Sequence, residues 1–202
     1  DNQKNYKVYG GLQDNGVWVA NHNATVDKAW QQTGKNPYEN LMGGDGMQVA
    51  VDDRNPNIVY TGYQFGKYYR IDRETGKRNY IQPKHSLGEA PYRFNWQTPI
   101  LLSKHNQDIL YLGGNKLHRS MSKGNDWQTI SEDLTQGGKK GNVAYGTITT
   151  ISESPFQFGL LYVGTDDGVI QVSKNGGGNW VNITNSLPKN LWVSRVIASQ
   201  HK

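Results

Sequence analysis

Leu161-Tyr162-Val163-Gly164 is one of four copies of an apolar-Tyr-x-Gly block, and the spacing of those copies decides the fold. The others are Val8-Tyr9-Gly10-Gly11, Val59-Tyr60-Thr61-Gly62 and Leu110-Tyr111-Leu112-Gly113, so the tyrosines stand at 9, 60, 111 and 162, three equal steps of 51 residues. A fixed period of this size marks tandem supersecondary units that bury one another's faces. Upstream of the later blocks lie turn-forming stretches, Asp53-Arg54-Asn55-Pro56-Asn57, Lys104-His105-Asn106-Gln107-Asp108 and Ser154-Pro155-Phe156-Gln157-Phe158-Gly159. Each stretch is itself preceded by an apolar run, at 47–51, 100–102 and 148–151.

Extending outward, each unit reads as four strands. The predicted sets are 48–51, 58–61, 68–71 and 79–81; then 99–103, 109–112, 116–119 and 127–130; then 147–152, 160–163, 169–172 and 180–183. Asp14-Asn15-Gly16 and Asp166-Asp167-Gly168 suit the hairpins after strand two, since Asn, Asp and Gly tolerate positive φ. No stretch has helical periodicity. The expected class is therefore all-β: four antiparallel, four-stranded repeats that are blades of a β-propeller. The predicted blades cover about 1–42, 43–93, 94–144 and 145–190. The chain starts at strand two, and Arg195-Val196-Ile197-Ala198 has a strand-one pattern. Residues 193–199 would then complete the first blade if the ring closes. A larger propeller with further blades is favoured, because four-bladed rings are uncommon.

Composition narrows the function. Of 202 residues, 35% are hydrophobic and only 19% charged, with 6 Trp and 12 Tyr, which suits a packed core and not a disordered polyelectrolyte. No window is apolar enough for a membrane span. A net charge of +5 spread along the chain, without a run of five basic residues, argues against a nucleic-acid footprint. The absence of Cys removes disulfides, thiol nucleophiles and thiolate metal sites. His22, His85, His105, His118 and His201 are isolated, so neither a metal nor a cofactor is expected.

Between strands three and four, Ser120-Met121-Ser122-Lys123-Gly124-Asn125-Asp126-Trp127 and Ser173-Lys174-Asn175-Gly176-Gly177-Gly178-Asn179-Trp180 share a pattern. Both resemble the Asp-box (bacterial neuraminidase) repeat, Ser-x-Asp-x-Gly-x-Thr-Trp. Ser122 and Asn175 replace the box Asp, Asp126 and Asn179 replace Thr, and the hairpin Asp72-Arg73-Glu74-Thr75-Gly76 is further degraded. The whole chain resembles the sortilin-like, glycosyl hydrolase-like Asp-box propellers of exported bacterial proteins. The stretches that carry this are Gly11-Leu12-Gln13-Asp14-Asn15-Gly16, Gly43-Gly44-Asp45-Gly46, Tyr92-Arg93-Phe94-Asn95-Trp96-Gln97-Thr98-Pro99, Tyr162-Val163-Gly164-Thr165-Asp166-Asp167-Gly168 and Trp192-Val193-Ser194-Arg195. The resemblance implies a secreted or cell-surface protein and structural roles for Trp127 and Trp180.

The turns entering strand one and leaving strand two gather the unusual side chains. Arg93, Asn95, Trp96, Asp166, Trp192 and Arg195 are the candidate ligand-binding residues, with 142–146 in the equivalent place of the fourth blade. Rings, amides, acids and arginines together suit a sugar, whose apolar face stacks while its hydroxyls take polar contacts. Asp45 and Asp14 match the positions of the two acids in xyloglucanase-type Asp-box propellers, although Gln13 stands where Thr is usual and those acids come from two separate propellers. The plain alternative is that Asp14 and Asp166 only form turns, and that Arg93 only pairs with Asp45. The expected function is a scaffold that binds a glycan, such as a polysaccharide, or a protein through the central-channel face of the propeller. The alternative is a glycoside hydrolase, which would need two carboxyls about 5–5.5 Å or roughly 6.5–9.5 Å apart.

Overall fold

The computed structural model describes residues 1, 3–141, 143–185, 187, 188 and 190–201. Asn142, in the turn before the fourth blade, lies outside them. The chain divides into two compact units, Asp1–Gln64 with Tyr68–Tyr80, and Phe65–Lys67 with Ile81–Lys202. Each contains two antiparallel sheets.

The first unit opens with β1 (Lys7–Leu12), β2 (Gly16–Asn21), the one-turn helix α1 (Trp30–Thr33) and β3 (Glu39–Met42), which form a three-stranded sheet in the order β1-β2-β3. Its second sheet is β4 (Ala50–Val51), β5 (Ile58–Tyr63), β6 (Lys67–Asp72) and β7 (Arg78–Tyr80). Val17, Val19, Leu41 and Met42 of the first sheet meet Val59 and Ile71 of the second in one core. In the second unit, β8 (Ile100–Leu102), β9 (Leu110–Gly113), β10 (Leu117–Ser120) and β11 (Gln128–Thr129) form one sheet. The other is β12 (Ile148–Glu153), β13 (Leu161–Thr165), β14 (Ile170–Ser173) and β15 (Val181–Asn182). Tyr111 and Leu117 pack there against Ile148, Leu161 and Val163.

All four repeat tyrosines lie in strand two of their sheet, in β1, β5, β9 and β13. The 51-residue period is thus a period of structure, and the sheets are propeller blades. Strand two also shows why its sequence is apolar on both faces. In β9 every residue is buried, because both sides meet protein.

Among the described residues the first sheet has three strands, with β1 paired to β2. Residues 193–199, expected as a strand-one segment, form no ladder. They follow β12, where the Val196 and Ala198 N–H groups donate to Thr150 Oγ1 (3.3 Å) and Ser152 Oγ (2.9 Å).

The hairpins after strand three are held by short side chains. Ser120 Oγ accepts the Gly124 N–H at 2.8 Å, and Ser173 Oγ accepts that of Gly177 at 2.9 Å. Within the same hairpins Ser122 Oγ takes the Asp126 N–H at 3.1 Å, and Asn175 Oδ1 takes that of Asn179 at 2.9 Å. Each indole then donates to the carbonyl of the residue just after a strand four, Trp127 to Ile81 at 2.6 Å and Trp180 to Ile130 at 3.1 Å. The degraded hairpin has no Trp. Arg73 bridges it instead to Glu39 at 2.7 Å, with its guanidinium 6.0 Å from the Tyr9 ring centre.

Candidate functional site

In the second unit, the exit of β13 places two consecutive carboxylates in the interior. Asp166 accepts the Thr147 N–H at 2.9 Å and the Thr147 hydroxyl at 2.6 Å, with Asn95 Nδ2 at 3.4 Å. Asn95 is buried as well. It donates to Thr147 Oγ1 at 3.0 Å and accepts the Gln97 N–H at 3.0 Å. Asp167 takes the Thr165 hydroxyl on one oxygen and the Gln136 N–H, at 2.6 Å, on the other. Buried carboxylates supplied with several donors are rigid fixtures, and here they pin the turns entering β8 and β12 to the exit of β13.

Arg93 is tied into the same end of the unit. Its Nη2 meets Asp133 at 2.7 Å and Thr135 Oγ1 at 3.2 Å, and its Nε donates to the Gly146 carbonyl at 3.2 Å. Its partner is thus Asp133, which corrects the pairing with Asp45 considered from sequence. Burial disfavours the charge on Asp133, yet hydrogen bonds from Thr135, Arg93 and Asn115 outweigh it and hold this carboxyl below the usual range.

Three aromatic side chains of this unit are exposed close in sequence to its turns. Trp96 is 38% exposed and Phe65 42%. The two are joined by the Phe65 N–H donating to the Trp96 carbonyl at 3.2 Å, while Gln82 Nε2 donates to the Phe65 carbonyl at 2.8 Å. Phe65 has φ +61, a left-handed backbone that a bulky residue rarely adopts. Trp192 is 57% exposed and follows Leu191, whose backbone borders Gly168 in the β13 exit turn. Arg195 is exposed.

Asp14 and Asp45 belong to the first unit. Asp45 Oδ1 accepts the Asp14 N–H at 2.9 Å. The same two loops are joined by Gly16 N–H to the Gly44 carbonyl (2.9 Å) and Gly46 N–H to the Leu12 carbonyl (3.0 Å). Asp14 itself is exposed, with φ +61. The contact between these acids is carboxylate to peptide, so at least one oxygen of Asp45 serves as a turn acceptor. No metal-binding cluster of three or more His, Asp or Glu occurs among the described residues.

Sequence reasoning assigned Arg93, Asn95, Trp96 and Asp166 to one face, with the turn 64–65 that carries Phe65, and left out Asp133, Gln136 and Thr147. Phe65 carried a usable signal: it stands 51 residues after Asp14, and both have φ +61. Asp133 and Gln136 have no counterpart in the period, and Thr147 looks like an ordinary strand residue.

No protein-family model and no curated protein matches this sequence. Solved structures do match the backbone. An ancestral GH74 enzyme superposes with a TM-score of 0.63 at 16% identity, over 95% of this chain and 25% of its own. The GH74 xyloglucanase from Xanthomonas campestris gives 0.55 at 16%, over 90% and 29%. A chain of a mitotic checkpoint complex gives 0.55 at 16%, over 92% and 48%. This chain therefore spans about a quarter of the GH74 structures, and the fold is shared with a protein of unrelated title.

Proposed function

We propose that this chain is a carbohydrate-binding scaffold, part of an exported Asp-box propeller, which holds a polysaccharide on the aromatic surface of its second unit. The observation that carries the reading is the strained, exposed Phe65 backbone-tied to exposed Trp96. Strain at a surface ring persists only where surrounding bonds over-determine it, and such positions concentrate at binding sites. In this reading a pyranose stacks its apolar face on these exposed rings. The buried Asn95–Thr147–Asp166 network fixes the backbone next to Trp96. GH74 relatives by fold, one titled a xyloglucanase, make a plant β-glucan the first ligand to try.

The hydrolase reading retains Asp45 and Asp14 as its acids. The engagement of Asp45 with the Asp14 N–H makes it the weaker of the two. Affinity electrophoresis and calorimetry against soluble xyloglucan, mixed-linkage glucan and mannan test both. Binding that falls about tenfold (~1.4 kcal/mol) in Trp96→Ala, with reducing-end release absent, supports the scaffold. Unchanged affinity in that variant, or sugar release abolished by Asp45→Asn, overturns it.

A further inference from the structure

Three tyrosines of the first unit stand side by side on neighbouring strands of one sheet, Tyr63 on β5, Tyr69 on β6 and Tyr80 on β7. The Tyr63 and Tyr69 rings are stacked with centres 6.3 Å apart, and Tyr80 meets Tyr69 edge-on at 5.1 Å. Tyr69 pairs with Tyr80 across the ladder and Ile71 with Arg78, so Arg78 lies on the same face as the rings. A hydrogen bond with Tyr63 raises the pKa of Tyr69. Partial burial, together with the neighbouring phenols, raises that of Tyr80. Both therefore keep their hydroxyl protons at neutral pH.

Beside this row the loop from β3 to β4 leaves a cavity of about 340 Å³, walled by Met42, Gly43, Gly44, Tyr63, Tyr69 and Arg78. Its lining falls wholly between residues 42 and 78, on two sheets that share one core. None of these residues is a carboxylate, and Arg78, exposed, forms no ion pair among the described residues. Next to the cavity, Gln64 Oε1 is buried and accepts no hydrogen bond; a Cβ on Gly44 would lie 3.8 Å from it. A buried acceptor left unmet costs free energy that a donor on a ligand recovers. Gly43 does not have a left-handed backbone, and a Cβ on it would find nothing within 4 Å. Folding thus makes no demand for glycine there, and its missing side chain leaves the cavity open.

We propose that this cavity binds one hexuronate unit of an acidic polysaccharide. The Arg78 guanidinium takes the carboxylate through two parallel N–H bonds, a pairing that a neutral sugar cannot return. The tyrosine rings take the apolar side of the pyranose, while their hydroxyls and the Gln64 carbonyl exchange hydrogen bonds with the sugar hydroxyls. A flat aromatic acid would satisfy Arg78 and the rings but leave the Gln64 carbonyl unmet, which favours the sugar acid. The volume agrees, since small-molecule pockets begin at about 300 Å³. The site is made from first-unit residues alone and stands whether or not a neutral glucan binds at Trp96.

The test is calorimetry on the 202-residue chain at low ionic strength, with trigalacturonate, its methyl ester and benzoate as probes. Trigalacturonate should bind about tenfold more tightly than the neutral ester or benzoate, and more weakly as salt is added. Arg78→Gln should weaken it about tenfold, and Gly43→Leu, which fills the opening, should abolish binding. Thermal melts should show both variants folded. If Gly43→Leu melts early, Arg78→Glu takes its place, because an exposed side chain reverses its charge without disturbing the core. Trp96→Ala should leave trigalacturonate affinity unchanged, which separates this site from the one proposed for neutral glucans. No binding by the native chain, equal affinity for the ester or for benzoate, or undiminished binding in Arg78→Gln overturns the proposal. Trigalacturonate binding lost in Trp96→Ala overturns it as well, by placing the acid on the second unit, and leaves the scaffold reading intact.

Discussion

His118 lies on β10 with no exposed surface, its Nδ1 3.1 Å from Thr129 Oγ1 and its ring 4.4 Å from that of Tyr92. Its Nε2 has no hydrogen-bond partner among the described residues. Burial, reinforced by the nearby charge of Lys116, lowers its pKa from 6.5 to about 4. The unfolded chain therefore takes up a proton below pH 6.5 that the folded chain refuses until about pH 4. Stability is complete above pH 6.5 and falls by up to about 3 kcal/mol on acidification through that window. Urea midpoints at pH 7 and pH 4.5 should show the loss in the native chain and a smaller loss in His118→Gln. Phe65 is a second residue-scale case, with the opposite sign. Asn accepts a left-handed backbone, so Phe65→Asn should raise stability by about 1 kcal/mol while weakening any stacked ligand. A lower melting temperature in that variant would mean that the ring is needed for packing. Neither behaviour was legible from the sequence. A lone His in a strand pattern does not reveal whether its second nitrogen finds a partner, and Phe65 discloses its conformation only once aligned with Asp14.

At the scale of elements, the hairpin 173–180 is a clip. Gly177 has φ +98, and a Cβ there would come within 2.6 Å of the Ile130 carbonyl oxygen. Gly177→Ala must therefore strain the backbone and push away the carbonyl that Trp180 needs, for a cost of about 2 kcal/mol or more. Trp180→Phe keeps one six-membered ring and loses the pyrrole ring with its hydrogen bond to Ile130, about 1–2 kcal/mol in all. Chemical denaturation of both variants should rank them in that order. This part of the molecule was readable in advance because its interactions are local. The strand predictions from 48 to 183 fall on β4–β15 to within two residues, since each is bounded by turn residues close in sequence. The limits of such reading appear at Asn95 and Asp166, which meet across 71 residues. Nothing in either local pattern specifies that contact; it arises when adjacent sheets in the second unit bring their strand-one and strand-two turns to the same end. Residues 193–199 mark the same boundary from the other side: their pattern is that of a strand, yet a ladder requires a partner that no local sequence can supply.

For the molecule as a whole, repetition offers a control that few folds provide, because one position can be truncated four times in four surroundings. Val59 packs in the core of the first unit and Leu161 in that of the second, and Leu110 is equally inaccessible within its sheet. Removing each to Ala should cost about 2–4 kcal/mol, the transfer term plus the cavity left where the neighbouring sheet cannot collapse. Val8→Ala removes the same kind of side chain from the same register, but one with solvent on its face, and in dilute monomer should cost less than about 0.5 kcal/mol. If packing between sheets is what stabilises these blades, the four values separate into three large and one small. Four equal values would place the stabilisation inside each sheet, and the apolar face at Val8 would then need no covering.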